Sequence, residues 1–364
     1  MNILHYANYG SPYEGNFIQS LMQLREEVLS RGDSFQLVLQ ERAKSATWPQ
    51  KLMRKGVRIS FINSDTIACA MKLRRLIIDE KIDIVHVHFV NLRTLLIFEL
   101  ALLGMKKVQY YIHLHNHVSR NGVTIRKMLM KKAEMLCCSY SVAEGVSAIG
   151  IPKQNIHVVE NAICFERLEE NNEKFDLNNL FDTPKYRLLM FGFDYERKGV
   201  DVVLDAIDKM ESGSEKVQLF ISVSSNLQYV KDKITQRYGK LPEWISLLPP
   251  CNEIGTYYRQ VDAFISASRE EGFCYALIEA AYCQKTIIAS KIPAQKDLEL
   301  PAARWFSNED SDELAHILDE LVSSRGEDES ALKNQKEIVV NHYNLEAWAK
   351  KIADCYHREG ENTN

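Results

Sequence analysis

Short runs of β-branched and aromatic residues alternate with helix-length amphipathic segments along nearly all of this chain, and that alternation leaves few folds open. Runs at 2–7, 35–39, 57–62, 83–88, 108–114, 135–139 and 156–159 predict strands, and stretches near 16–31, 66–81, 92–104 and 141–149 predict the helices between them. A second series repeats the pattern at Tyr186–Phe193, Val217–Val223, Ile245–Leu248, Ala263–Ala267 and Thr286–Ser290. Strands separated by helices pair in parallel, because a parallel neighbour is reached only through a crossover. Each half therefore reads as one doubly wound α/β domain with helices on both faces. Between the halves the chain is polar and turn-rich, and a linker is expected over 169–184. A further amphipathic helix is expected near Leu345–Ile352.

The chain has 364 residues, enough for two domains with separate cores. Its 46% apolar and 26% charged residues are those of a globular protein, which excludes a fibrous or disordered class. No stretch approaches the roughly 18 to 20 apolar residues that span a bilayer. Met1–Tyr6 lacks the basic, then apolar, then small-residue pattern of a secretory signal, so the chain is expected in the cytoplasm. Its eight cysteines include no Cys-x-x-Cys pair, and Cys137-Cys138 lies in an apolar run; reduced, mostly buried thiols are expected rather than disulfides or zinc ligands.

The net charge of −4 hides an asymmetry. Residues 1–165 carry 21 Lys and Arg against 13 Asp and Glu, and the remainder carries 24 against 36. A basic N-terminal half suits an anionic partner such as a membrane surface or a lipid diphosphate. Met71–Ile78 and Arg126–Lys132 are both basic and amphipathic enough to lie against anionic lipid, although a solvated helix face is the plainer reading of either segment alone. No nucleic-acid motif is present, and no nucleic-acid partner is expected.

The stretch Glu271-Gly272-Phe273-Cys274-Tyr275-Ala276-Leu277-Ile278-Glu279 carries the clearest chemistry. It follows the strand-like Asp262–Ser266 and runs into a helical pattern, so Glu271 falls in a strand-to-helix loop and Glu279 inside the helix. Gly272 lets backbone approach a ligand, and amides opening a helix favour an anion. Sugar hydroxyls and a diphosphate would satisfy such a site; so, from this stretch alone, would an acidic loop before a helix with one buried Glu.

Ser268-Arg269-Glu270-Glu271-Gly272-Phe273, ending in Glu279-Ala280, resembles the signature of retaining glycosyltransferases with the GT-B fold, in the large family 4 group. Other segments agree in order: Gly15, Asp83–His88, Ile112–His115, Glu160–Ile163 and Arg197-Lys198-Gly199. The resemblance implies two Rossmann-like domains facing across a cleft. Residues 1–168 would bind acceptor, 185–342 would bind the nucleotide sugar, and a helix in 343–364 would cross back to the N-terminal domain. The implied reaction is transfer from a nucleoside-diphosphate sugar, UDP being the commonest donor nucleotide, to a saccharide acceptor, expected to be lipid-linked. No cofactor and no metal are implied.

Residue by residue, the resemblance assigns Lys198 to the diphosphate, Glu279 to the ribose hydroxyls and Glu271 to hydroxyls of the donor sugar. The amides of Gly272, Phe273 and Cys274 would meet sugar and diphosphate, with Tyr275 beginning the helix beside them. His115 would approach the donor sugar; Gly15 would let the loop after the first strand approach the diphosphate, and Asn16 would open the following helix. One departure stands out. Gly192 is followed by Phe193 where the family usually carries a phosphate-binding Arg, so Arg197 is the candidate substitute. Asn161 keeps only a structural role, because Ala162 and Cys164 replace the usual Gly and Asp. A covalent nucleophile is a second possible role for Glu271.

His113, His115 and His117 alternate and could project to one face of a strand. Zinc is not expected there, since no nearby Cys or acidic residue completes a ligand set. His86 and His88 read as satisfied core histidines. Two rival functions stay open at this point: a nucleotide-sugar epimerase, which shares the fold, and a non-catalytic subunit that binds a nucleotide sugar.

Overall fold

The computed structural model describes residues 1–62, 67–118, 123–169, 185–251, 253–324 and 328–357. Contacts divide the chain into two units, Met1–Ala162 with Leu345–Asn364, and Ile163–Asn344. Residues 170–184, most of the expected linker, lie outside the described residues.

The first unit holds a seven-stranded sheet in the order β3-β2-β1-β4-β5-β6-β7. Its strands are β1 (Asn2–Ala7), β2 (Ser34–Leu39), β3 (Ile59–Phe61), β4 (Ile84–His88), β5 (Gln109–Leu114), β6 (Glu134–Cys137) and β7 (Ile156–Val158), all parallel. The helices of its N-terminal segment are α1 (Gly15–Ser30), α2 (Trp48–Arg54), α3 (Ile67–Asp79), α4 (Leu92–Ala101), α5 (Val123–Met130) and α6 (Tyr140–Ala148). In the second unit the sheet order is β10-β9-β8-β11-β12-β13, again parallel. These strands are β8 (Tyr186–Phe191), β9 (Val217–Ser222), β10 (Ile245–Leu248), β11 (Ala263–Ser266), β12 (Thr286–Ser290) and β13 (Arg304–Phe306). Its helices run α7 (Glu166–Glu169), α8 (Val200–Lys209), α9 (Leu227–Tyr238), α10 (Gly255–Arg259), α11 (Tyr275–Tyr282), α12 (Pro293–Lys296), α13 (Ser311–Ser324) and α14 (Glu329–His342). The last helix, α15 (Leu345–Tyr356), belongs to the first unit.

Each sheet reverses strand order once, between β1 and β4 and between β8 and β11. At such a switch point the loops leaving the two strands diverge and open a crevice at their carboxyl ends. The loops after β8 and β11 contain Lys198 and Glu271; the loops after β1 and β4 lead to Gly15 and Phe89.

The two cores are separate. In the first unit α1 and α15 cover one face of the sheet, and Leu21, Leu24, Val28, Trp348, Ile352 and Tyr356 are buried together with Leu37 and Ile84. Tyr111 donates its hydroxyl to the Cys355 carbonyl at 2.8 Å, and Asp33 accepts from the Met1 amino group and pairs with His357 at 2.8 Å. The chain's end is thus fastened to its beginning. In the second unit Leu188, Val203, Ile207, Leu219, Ile265 and Leu318 form the centre of the other core.

The structure differs from the expected elements in a few places. β13 is only three residues long, too short for an alternating pattern, and α2 was not expected as a helix; α5 takes in most of the basic segment read as a helix face. β8 stops at Phe191, which leaves Phe193 in the following loop. Gly192 is held there by close packing: a Cβ would lie 2.4 Å from Ile221 Cγ2. Helix α1 begins at Gly15, with φ +58°, so Asn16 is its second residue rather than its first.

Candidate functional site

In the second unit the switch-point loops bring three sequence-predicted residues together. Glu271 is 9% exposed, and Lys198 donates to its Oε1. Ser268 donates to the same oxygen at 2.8 Å, and Arg197 donates to Oε2 at 3.2 Å. A buried carboxylate is costly unless its lone pairs are satisfied, and here two cations and a hydroxyl do so. Arg197 is fixed in turn by Asp194 at 2.8 Å. Both cations lie over the Phe193 ring, Lys198 at 5.0 Å and Arg197 at 5.5 Å from its centroid. Phe193 therefore supports the cationic pair from below, through its negative face.

Local backbone explains why the loops approach so closely. Gly199 has φ +64°, and a Cβ there would stand 2.1 Å from the Ala267 carbonyl oxygen. Only glycine fits. Beyond it the Arg269 amide donates to the Arg197 carbonyl at 2.8 Å, and the Arg269 guanidinium grips Asp201 at the start of α8 with 2.9 and 2.8 Å bonds.

Glu279 belongs to a neighbouring but separate set. It is 5% exposed on α11, accepts from the Tyr258 hydroxyl at 3.2 Å and pairs with Arg167 at 3.6 Å. Burial, and then Glu279, hold the Tyr258 phenol well above its ordinary value, so it stays a donor. Cys274 precedes α11 without a side-chain cap bond, and its buried thiol is pushed up to about 11 by burial and by Glu271. Gly272 is buried too. Phe273 turns its ring inward against Tyr275 and Tyr343, which leaves its main chain as the part able to meet a ligand.

In the first unit His115 stacks on Phe89 at 4.4 Å and meets Phe17, next to Gly15 and Asn16 on α1, at 5.5 Å. Phe89 has φ +54°, a conformation unusual for an aromatic residue, and it follows β4 directly. Burial lowers His115 to about 3, so the ring is neutral at physiological pH and acts as a hydrogen-bonding group. His117 lines a 210 Å³ cavity with His113 and His115 but makes no part of the ring stack they form.

Residues 21–167 match the model of Glycosyltransferase Family 4, and residues 171–339 match that of Glycosyl transferases group 1. The chain belongs to the family 4, group 1 glycosyltransferases. A glycosyltransferase from Rickettsia africae ESF-5 superposes with a TM-score of 0.80 at 17% identity, covering 100% of this chain and 99% of that one. HepE of Anabaena in complex with UDP-glucose gives 0.76 at 17% identity over 98% and 99%. The lipopolysaccharide outer core galactosyltransferase WaaB gives 0.70 at 16% over 98% and 99%. These likenesses establish the GT-B fold. No significant match is found among curated proteins.

For this glycosyltransferase, sequence reasoning missed Arg167, Tyr258 and Ser268 as partners of the two carboxylates. Ser268 lies three residues before Glu271 inside the motif, and the motif alone does not mark it as a donor to the carboxylate. Arg167 and Tyr258 reach Glu279 from α7 and α10, and no local pattern announces a contact made across so much chain. His86 and His88 are buried as expected, yet His86 Nε2 has no hydrogen-bond partner among the described residues, so the expectation of satisfied histidines holds only in part.

Proposed function

We propose that this glycosyltransferase is a retaining enzyme that moves a hexose-type sugar from a nucleoside diphosphate, UDP in particular, to a lipid-linked saccharide in a surface polysaccharide or glycoconjugate. The observation that carries the reading is the convergence of Lys198, Arg197 and Ser268 on Glu271 at the β8/β11 switch point. A diphosphate leaving group gains negative charge in the transition state, and fixed cations there lower the barrier without reorganising. Lys198 and Arg197 would take the diphosphate, Glu271 the sugar hydroxyls and Glu279 the ribose. Charge-assisted bonds of the last kind contribute about 1.5–3 kcal/mol each. His115 of the first unit would meet the donor sugar as a neutral ring.

The Glu271 environment favours a same-face reaction in which the leaving phosphate deprotonates the acceptor. A carboxylate whose oxygens already accept from two cations and a hydroxyl has little nucleophilicity left, which argues against a covalent intermediate. The UDP-glucose held by HepE supports the donor, and the lipopolysaccharide substrate named for WaaB supports a lipid-linked acceptor. Peripheral membrane contact fits the same reading: no helix among the described residues is long and apolar enough to cross a bilayer, while α3, α4 and α5 expose apolar and basic side chains together.

The test is direct. Purified enzyme incubated with nucleotide sugars and a lipid-linked acceptor is expected to yield a product whose anomeric configuration, read by NMR, equals that of the donor. An inverted product overturns the mechanism, and no thermal shift with any nucleoside diphosphate or its sugars overturns the donor site.

A further inference from the structure

Five imidazoles are stacked in the middle of the first unit. His5 on β1, His86 and His88 on β4, and His113 on β5 are fully buried, and His115 directly follows β5. Register explains the cluster: His5 pairs with His86, and His88 with His113, across parallel strands, while residues two apart on one strand share a face. Ring centroids lie 4.1 Å apart for His86 and His88, 4.3 Å for His113 and His115, and 5.6 Å for His88 and His115. Burial lowers all five below the ordinary imidazole value, so their lone pairs are available for coordination at neutral pH.

Hydrogen bonding leaves the cluster incomplete. His88 Nε2 lies 3.2 Å from His5 Nδ1, and His88 Nδ1 lies 3.3 Å from His115 Nε2. Neither nitrogen of His113 has a hydrogen-bond partner among the described residues. Buried polar atoms without partners are rare and each costs about 1–3 kcal/mol. Ligand nitrogens of His88, His113 and His115 all lie within 4.8 Å of one another.

We propose that His88, His113 and His115 form a binding site for one divalent transition metal of the zinc class, with its fourth coordination position toward the cavity that His113 and His115 line. His113 on β5, His115 two residues on and just past its end, and His88 from the neighbouring β4 suit three-histidine coordination. With metal–nitrogen bonds of about 2.0–2.1 Å, tetrahedral nitrogens stand about 3.3–3.4 Å apart, which the His88–His115 pair already matches. His88 binds through Nδ1, and its Nε2–H donates to His5 Nδ1; such an outer hydrogen bond fixes tautomer and ring orientation. His115 moves its proton from Nε2 to Nδ1, so no net proton is released by the ligands. Three neutral ligands leave the ion's double charge uncompensated, and the 210 Å³ cavity admits the water or hydroxide that completes such sites. The alternative group, His5 with His86 and His88, is wholly enclosed, and His86 Nδ1 is already taken by the Tyr356 hydroxyl. The expectation against zinc weighed β5 alone; β1 and β4 supply what it lacked.

The metal is not assigned to sugar transfer, and binding is read without activity. Equilibrium dialysis of the full chain against zinc sulfate and against cobalt(II) chloride is expected to retain one ion per chain. The cobalt form should show a tetrahedral visible spectrum, and X-ray absorption should show three imidazole nitrogens at about 2.0–2.1 Å. His113→Gln should abolish binding, and His5→Gln should weaken it about 10- to 100-fold by releasing His88. Loss of the exposed histidines in the double variant His316→Gln, His342→Gln should change nothing. Less than one ion bound, an octahedral cobalt spectrum, or binding lost only in the surface variant overturns the proposal. The spectra of the unaltered protein decide the matter if His113→Gln fails to fold.

Discussion

At the scale of residues, the chemistry rests on how two cations are shared. Lys198 and Arg197 both serve Glu271 in the free protein, and both stand over Phe193, so an arriving diphosphate would meet a preassembled pair rather than a single charge. Arg197 is also tied to Asp194, which neutralises part of it; Lys198 has the shorter reach and the more buried position. Lys198→Ala is therefore expected to lower turnover about a hundredfold or more, the scale of losing one transition-state donor, with an unchanged fold. Arg197→Ala should cost less. Steady-state rates for the two variants decide it: a larger loss at Arg197 means the family's missing arginine has been replaced from this loop, and no loss at either means the diphosphate binds elsewhere. Pattern placed Lys198 and Glu271 in strand-to-helix loops and Glu279 inside a helix, and it was the family resemblance that gave the three their proposed roles. Gly199 was legible only as the last residue of the Arg197-Lys198-Gly199 segment; its collision with Ala267 was not, since it depends on two strands far apart in sequence becoming neighbours.

At the scale of elements, the strands were the most legible parts, since buried parallel strands are short runs of apolar and β-branched residues bounded by polar loops. Pattern reading could not supply the surface that three helices make together. Met71, Arg75 and Ile78 share a face of α3; Arg93, Leu96, Leu100 and Leu103 extend one along α4 and just past its end; α5 exposes Ile125, Lys127 and Met128. α4 packs against both α3 and α5. Met71 is 65% exposed, Leu103 64% and Met128 70%, values too large for side chains that merely graze solvent. With Lys131 and Lys132 just beyond α5, this face is apolar and cationic at once, the combination that binds anionic bilayers. The expected result is flotation with phosphatidylglycerol vesicles but not with phosphatidylcholine vesicles, weakened by salt and by Lys131→Glu with Lys132→Glu, because each basic contact contributes about 1 kcal/mol near the surface. Equal binding to both vesicle types would remove membrane contact from the functional reading.

At the scale of the whole molecule, two separate cores imply that the units answer to different solution conditions. The histidine cluster belongs to the first unit, whereas the second contains only His316 and His342, both exposed. For each clustered histidine the folded value lies below the unfolded value of about 6.5, so the unfolded chain binds more protons once pH falls below that point. Their contribution is complete above pH 6.5 and is lost as pH falls, by up to about 1.4 kcal/mol per pH unit for each ring. A domain stable by 5–15 kcal/mol cannot absorb much of that loss. Calorimetry in EDTA is thus expected to show the first unit's transition level above about pH 6.5 and falling steeply below it while the second unit's moves little. UDP adds the complementary mark: if the nucleotide binds the second unit, a concentration 100 times its dissociation constant stabilises that unit by about 2.7 kcal/mol and should raise only the acid-insensitive transition. A pH-independent profile would mean that the buried rings take up protons without unfolding the unit. If UDP raised the acid-sensitive transition instead, the nucleotide would have to be reassigned to the first unit.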